Sequence, residues 1–307
     1  MIKGSSFIVG GHRGAGCTDS GPANGKPAEN TIESFRQAFN DGADFIELDA
    51  VETADHKIVV IHADNLSHHV FGANPFNSVG ETSLTDLKTL RVGKNRTGEI
   101  PTLVETLDFL RTTEAFNRSA FCLNIELKNI REIEKGKFRP KPDSYYDTIL
   151  SEIAGNGFPL DKIVFSSFAA RDLAELKKRA PEAKTGFLFW ETDSGASEEI
   201  YPGQAVENAL YLPFTPENIE AVRRQAAPDY LHPEVKALTA AAVALAAQYG
   251  MGLNTWPWLE KPPTVHDPVL VNALTLTARH GMTVSFCTDY VTEMKQLLGQ
   301  IANPPTP

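Results

Sequence analysis

The sequence lacks several features that mark particular classes of protein. Its three cysteines, Cys17, Cys122 and Cys287, are far apart and show no C-x-x-C spacing. An odd number of separated cysteines argues against a disulfide framework and favours reduced thiols, with an unpaired cysteine in an extracellular protein as the weaker alternative. We find no signal-peptide core before the first strand, and no apolar run approaches the roughly 18 residues of a membrane span. We therefore expect a cytoplasmic protein without a membrane span.

The sequence also lacks an excess of positive charge. It contains 29 Lys and Arg against 39 Asp and Glu, for a formal net charge of -10. Nucleic-acid binding requires a basic surface, so we expect no nucleic-acid partner. A small anionic substrate stays compatible with this charge, because a bound cation can reverse the local field. The 42% share of hydrophobic residues is typical of a globular protein with a large core.

Strand-like and helix-like segments alternate along the whole chain. Eight principal strands are predicted near residues 7, 45, 123, 163, 187, 230, 253 and 285, each followed by a helix. Eight such βα units in a chain of this length predict an α/β fold, a (β/α)₈ TIM barrel. We expect a single domain over residues 1–303, with a small insertion at 63–100 after the second strand. The proline-rich tail, 304–307, is predicted to be disordered.

Two acidic residues lie on one face of the second predicted strand. Side chains alternate between faces of a strand, so Glu47 and Asp49 share a face, roughly 6–7 Å apart along the backbone. The two carboxylates repel each other unless something neutralises them, and a hard divalent cation would do so. The alternative is a strand end that runs into solvent with both acids hydrated, which is common for charged residues. These two residues alone leave both interpretations open.

Further polar residues fall at the predicted carboxyl ends of the first strands, where barrels of this type carry their active sites. They comprise two histidines, an arginine, three acids and a lysine: His12, Arg13, Glu47, Asp49, His62, Glu126 and Lys128. Three carboxylates without a coordinating cysteine suit Mg²⁺, Ca²⁺ or Mn²⁺ better than Zn²⁺. The arginine and the lysine can bind phosphate, and two histidines can act as general acid and base. The set predicts metal-assisted phosphoryl transfer.

Several candidate residues also have a structural interpretation. Arg13 could simply pair with Glu29, and Trp256 could line the pocket or pack as an ordinary aromatic residue. Three further histidines are predicted to lie in surface loops: His56, His68 and His69. Lys128 opens a basic segment that we expect to be solvated, or to guide anions to the site. The other members of this segment are Arg131, Lys135, Lys137, Arg139 and Lys141.

The same residues carry a resemblance to a known family. The segments Gly11–Gly14, Glu29–Thr31, Gly42–Asp49, Val59–His62 and Ile125–Lys128 are similar, in order, to the glycerophosphodiester phosphodiesterase family of the phospholipase-C-like superfamily. The resemblance implies a barrel that hydrolyses glycerophosphodiesters to glycerol 3-phosphate and an alcohol, a reaction of lipid and glycerol metabolism. It implies a divalent cofactor, Mg²⁺ or Ca²⁺ with Mn²⁺ as a further option, and a small-molecule substrate. 

The resemblance also implies a role for each candidate residue. His12 and His62 look like the acid–base pair, and the metal ligands correspond to Glu47, Asp49 and Glu126. Arg13 and Lys128 look like the phosphate contacts, and Glu29 like a supporting residue. Trp256, from its position after the seventh strand, is a further candidate for substrate binding. The chain departs from the family where Ala63 replaces the usual Asp after the second histidine.

Three rival functions follow from the same residues. The first is a phosphodiester lyase that releases a cyclic phosphate. The second is a Mg²⁺-dependent enolising barrel, which has no need for two histidines beside an arginine. The third is a barrel that binds phosphodiesters without catalysis, and Ala63 is the one feature that favours it.

Overall fold

A computed structural model of the chain describes residues 7–17, 25–62, 65–72, 74–119, 121–128, 141–190, 212–256, 262–265 and 267–302. It also gives the backbone of two short strands in the segment 129–140. Ala63 and the tail 304–307 lie outside the described residues, so the predictions made for them stay predictions.

The strands in chain order are β1 (Ile8–Gly11), β2 (Phe45–Glu52), β3 (Ile58–Val60), β4 (Leu123–Leu127), β5 (Arg131–Glu132), β6 (Lys137–Phe138), β7 (Ile163–Ser167), β8 (Lys184–Phe189), β9 (Tyr230–Pro233), β10 (Gly252–Thr255) and β11 (Val284–Thr288). The α-helices are α1 (Ile32–Asn40), α2 (Leu84–Leu87), α3 (Leu103–Arg111), α4 (Glu114–Arg118), α5 (Asp143–Asn156), α6 (Ala170–Arg179), α7 (Pro216–Ala226), α8 (Ala240–Gln248), α9 (Pro268–Arg279) and α10 (Val291–Ala302). Single 3₁₀ turns lie at Leu66–His68, Leu160–Lys162 and Val235–Ala237.

Eight of these strands form a closed parallel barrel. Its order is β1-β2-β4-β7-β8-β9-β10-β11, and β11 pairs back with β1. Helices follow the barrel strands and pack outside the sheet, which confirms the predicted (β/α)₈ architecture. Because all eight strands run in the same direction, their carboxyl ends meet at one mouth.

The helices pack on the barrel through apolar faces. On α3, Leu103, Leu107 and Leu110 are fully buried at helical spacing, and each such side chain contributes about 1.5–3 kcal/mol by leaving water. This helix begins with a capping box in which Thr102 and Glu105 satisfy each other's backbone N–H groups. None of the described helices is long and apolar enough to cross a lipid bilayer.

The strand β3 belongs to a hairpin outside the parallel barrel. It runs antiparallel to β2, with Ala50 opposite Val60, and the N–H of Ile61 donates to the carbonyl of Asp49 at 3.0 Å. The chain therefore leaves the mouth on β2 and returns to it on β3. This return brings the next residue, His62, back to the level of the predicted site.

The predicted insertion has a small hydrophobic core of its own. Its members are buried apolar side chains that pack on one side of the hairpin: Val51, Val59, Ile61, Leu66, Val70, Val79, Leu87, Leu90, Val92 and Ile100, together with Ala28. This cluster is separate from the main core between the barrel and its helices. The described residues of the insertion thus pack around a core and are not extended into solvent.

Candidate active site

Three carboxylates converge at the carboxyl ends of β2 and β4. Glu47, Asp49 and Glu126 each offer an oxygen within 4.8 Å of the others. Asp49 is in register with Glu126 across the two strands, and Glu47 lies two residues earlier on the same face. Glu47 is 5% exposed and Asp49 is fully buried. The interpretation as a hydrated strand end is therefore wrong.

The electrostatics of this group favour a bound cation. Burial, followed by the charge of Asp49, raises the pKa of Glu47 to about 8. Burial also raises the pKa of Glu126, although Lys128 acts against it. Burial would raise the pKa of Asp49 as well, but Lys128 and Arg13 outweigh it and hold that pKa below its usual value. The positive charge around the three acids is thus too small for all three to be ionised at neutral pH.

Arg13 is held against these carboxylates by its backbone and its side chain. Its N–H donates to Glu47 Oε2 at 2.9 Å, and its Nη1 donates to Glu29 Oε1 at 2.7 Å. The guanidinium also lies 3.5 Å from Asp49 Oδ2 through Nε. The turn that carries Arg13 requires glycine at Gly14, which has a φ of +90° and no room for a Cβ. The predicted pair with Glu29 is formed, and it fixes the guanidinium beside the acids.

Lys128 provides a second cation at the end of β4. Its Nζ donates to Glu126 Oε1 at 2.8 Å and lies 3.3 Å from Asp49 Oδ1. The side chain is 17% exposed, so the ammonium group lies at the edge of the mouth. It can therefore meet an anionic ligand that enters from solvent.

His12 is oriented by an aspartate that directly follows the last barrel strand. Its Nδ1 lies 2.8 Å from Asp289 Oδ1, and Asp289 also accepts the N–H of Cys17 at 2.9 Å. Burial lowers the pKa of His12, but the charge of Asp289 outweighs this, and the pKa is raised above its usual value. Because Nδ1 is engaged, Nε2 is the ring nitrogen available for proton transfer.

His62 has the opposite electrostatic environment. Burial, and after it the charges of Arg13 and Lys128, lower its pKa well below the usual value. Its ring lies edge-on to His69, with centroids 6.1 Å apart. The prediction that His69 lies on the surface is wrong, since it is 3% exposed in the insertion. His56 and His68 are exposed, as predicted.

Two supporting residues escaped the sequence analysis. Asn30 donates from Nδ2 to Asp49 Oδ2 at 2.8 Å, and its Oδ1 accepts the N–H of Asp49 at 3.3 Å. This double contact orients the carboxylate of Asp49. Asp289 is 277 residues from His12 in sequence, and the two meet only because β11 closes the barrel against β1. Asp289 comes directly after β11, and a polar residue so close to the end of the last predicted strand is the signal that could have found it.

The prediction that the basic segment is solvated is wrong for Lys141. Its side chain is 1% exposed, and Nζ donates to Asp172 Oδ2 at 2.6 Å and to the carbonyl of Leu127 at 3.1 Å. This contact ties the end of β4 to α6, because Asp172 lies in the first turn of that helix. The other basic side chains of the segment lie outside the described residues.

The structure places Trp256 at the mouth, on the side away from the carboxylates. Trp256 follows β10 and is partly exposed, and its Nε1 donates to the carbonyl of His232 at 3.0 Å. Its ring packs with those of Phe168 and Trp190, which follow β7 and β8. The location agrees with a pocket residue, and its role in substrate binding stays a prediction.

Comparisons with known proteins agree with this geometry. The model of the glycerophosphoryl diester phosphodiesterase family matches residues 12–267. A curated relative from Caldanaerobacter subterraneus subsp. tengcongensis, named glycerophosphodiester phosphodiesterase, is 28% identical over 205 residues, which are 64% of this chain and 76% of the relative.

Solved structures of similar proteins share the fold. An Oleispira antarctica phosphodiesterase, solved in complex with the product sn-glycerol-3-phosphate, has 21% identity and a TM-score of 0.64, over 95% of this chain and 96% of that one. A glycerophosphodiester phosphodiesterase from Thermotoga maritima has 24% identity and a TM-score of 0.59, over 95% and 99%. The family model covers most of the chain, including both histidines and all three carboxylates. The resemblance drawn from the sequence is confirmed, and the chain belongs to the glycerophosphoryl diester phosphodiesterase family, as a phosphoric diester hydrolase.

Proposed function

We propose that this enzyme hydrolyses glycerophosphodiesters to glycerol 3-phosphate and an alcohol with the aid of a divalent cation and two histidines. The observation that carries the proposal is the convergence of Glu47, Asp49 and Glu126 within 4.8 Å of one another, beside Arg13 and His12. An anion-binding arginine next to a buried acidic group is suited to a phosphate held through a cation.

The three carboxylates would hold the cation. Their donor atoms are all oxygens, which suits Mg²⁺ or Ca²⁺, and Mn²⁺ equally by donor type. The raised pKa of Glu47 supports this fit, because it marks a site with too little positive charge. When bound, such a cation would stabilise the negative charge on the phosphate oxygens in the transition state.

Arg13 and Lys128 would bind the phosphate from the protein side. Glu29 fixes the guanidinium of Arg13 through a 2.7 Å hydrogen bond, so little side-chain entropy is lost when the substrate arrives. Lys128 reaches the same region from β4. Both cations lie next to the carboxylates, so the phosphate would be held where the cation and the histidines can reach it.

The histidines would move the protons. His12, whose pKa Asp289 raises against the effect of burial, tends to hold a proton. His62, whose pKa burial and nearby cations lower, tends to be neutral. A pair with opposite tendencies provides an acid and a base at one pH. We therefore assign His12 as the donor to the leaving alcohol and His62 as the acceptor from the attacking hydroxyl.

The test is release of glycerol 3-phosphate from glycerophosphocholine and glycerophosphoethanolamine. The protein is first treated with a chelator and then supplied with Mg²⁺, Ca²⁺ or Mn²⁺. We expect release that returns with metal and is lost in His12→Ala, with the fold of the variant checked by circular dichroism. Phosphorus NMR of the products checks the lyase alternative, because a cyclic phosphate as the final product contradicts hydrolysis. Near-normal turnover of His12→Ala would refute the role of that residue.

A further inference from the structure

Three aromatic rings form a cluster at the mouth of the barrel. Phe168, Trp190 and Trp256 have ring centroids 5.4–6.0 Å apart. Phe168 is 7% exposed, and both tryptophans are partly exposed. Side chains alternate along a strand, so Trp190, at the end of β8, lies on the same face as Gly186. A Cβ atom at Gly186 would collide with the ring of His232 on the next strand. The cluster thus belongs to the inner face of the barrel, at its open end.

The two tryptophans of this cluster lie across the mouth from the reacting groups, whereas Phe168 follows β7, which pairs with β4 so that Ser166 is in register with Glu126. In the closed strand order, β8 is four places from β1, and β10 is four places from β4. Trp190 therefore lies opposite His12, and Trp256 lies opposite Glu126. A phosphodiester bound at the carboxylates would extend one of its two alcohol groups toward the rings.

An acidic residue lies between the two tryptophans. Glu234 follows β9 and pairs with Trp256 in a parallel bridge, and its N–H donates to the carbonyl of Phe189, next to Trp190, at 3.2 Å. Glu234 is 1% exposed, and its Oε2 accepts the N–H of Lys236 at 2.9 Å. The backbone of Glu234 thus joins the ends of the two strands that carry the tryptophans.

We propose that the aromatic cluster is a headgroup subsite for a quaternary ammonium group, so that the preferred substrates are glycerophosphodiesters of choline type. This inference rests on the proposed function. The negative faces of indole and phenyl rings attract a cation without hydrogen bonds. A quaternary ammonium has no N–H to satisfy, whereas a primary ammonium or a polyol headgroup would lose hydrogen bonds to water against these rings.

The charge of the headgroup is tested with a neutral isostere. Glycerophosphocholine and the glycerophosphodiester of 3,3-dimethylbutanol have headgroups of the same shape, but only the first is charged. Cation–π attraction of about 1–2 kcal/mol predicts that kcat/KM for the choline compound is roughly 5–30-fold higher. Equal rates, or faster turnover of the neutral compound, would show that the rings only provide an apolar wall and would overturn the inference.

Variants test whether the rings are responsible. Trp190→Leu should bring the ratio of the two rates toward one, and Trp190→Phe should give an intermediate ratio because benzene attracts cations less than indole. Phe109→Leu is the control, since this ring lies on the outer helix α3, against Phe39, and should leave the ratio unchanged. A ratio that stays the same in Trp190→Leu refutes the assignment of the cluster.

A binding measurement separates failure of the inference from failure of the proposed function. Tetramethylammonium chloride, titrated by calorimetry, should bind the wild-type protein about tenfold more tightly than it binds Trp190→Leu. Turnover of glycerophosphodiesters without this difference would overturn the subsite alone. Absence of turnover with every metal would overturn the proposed function, and the same titration would still decide whether the rings bind the cation.

Discussion

The raised pKa of Glu47 predicts that metal binding depends steeply on pH. With a pKa of about 8, this carboxyl holds a proton in the metal-free protein at neutral pH, whereas a metal ligand must be ionised. Each ion bound should therefore release about one proton between roughly pH 6 and pH 8. The apparent Kd for Mg²⁺ should fall about tenfold per pH unit over this range and level off above it.

The same pKa shift gives a stability prediction with a definite sign. The pKa of Glu47 rises on folding from 4.5 to about 8, so its contribution to the stability of the metal-free protein is full below about pH 4.5 and is lost as the pH rises to 8. By the linkage relation this contribution is at most roughly 5 kcal/mol. Chelated protein should thus melt at a lower temperature as the pH rises from about 6 to 8, and Mg²⁺ should stabilise it most at the upper end.

Calorimetric titration of Mg²⁺ into chelated protein checks the prediction. Runs in two buffers that differ in ionisation enthalpy count the protons released, and Glu47→Gln should release none. Glu81→Gln, at an exposed position, is the matched control and should behave as wild type. A Kd that is constant between about pH 6 and 8, with no proton released, would refute the reasoning from burial and charge.

Two further predictions concern the histidines. Asp289→Asn removes the charge that raises the pKa of His12, so kcat should fall by about 10²–10⁴ with KM little changed. Asp289→Glu should recover part of the lost activity. A pH–rate profile whose limbs are the same as those of the wild-type enzyme would contradict this role of Asp289. A glycerophosphodiester of p-nitrophenol has a leaving group that needs no protonation. His12→Ala should therefore lose far less activity on it than on glycerophosphocholine, whereas His62→Ala should lose similar activity on both, and the reverse pattern would exchange the two roles.

The barrel could be predicted because its signals are local. Most strands contain a short apolar run, and parallel strands place the polar residues at their carboxyl ends at one mouth. Glu47 and Asp49 could be assigned to one face from alternation alone, and the structure adds the distance to Glu126. The metal and acid–base roles of these residues stay predictions.

Other features depend on contacts that sequence spacing does not encode. Asp289 meets His12 only through closure of the barrel. Lys141 was predicted to be solvated from the charge of its neighbours, but it is buried because Asp172 on α6 supplies a counter-charge from another part of the chain. His69 was assigned to a surface loop because its segment is polar, yet the insertion builds a core that encloses it.

The separate core of the insertion has a consequence for how the enzyme loses activity. His62 lies at the junction between β3 and the small cluster around Leu66, Val79 and Leu87, whereas His12 directly follows a barrel strand and the carboxylates lie on two others. Small clusters open at lower free energy than a whole barrel. On warming, this part should unfold first and withdraw one histidine, so that inactivation precedes global melting and hydrogen exchange is fastest at the insertion. Thermal tolerance of catalysis is then set by the small cluster of the insertion and not by the core of the barrel.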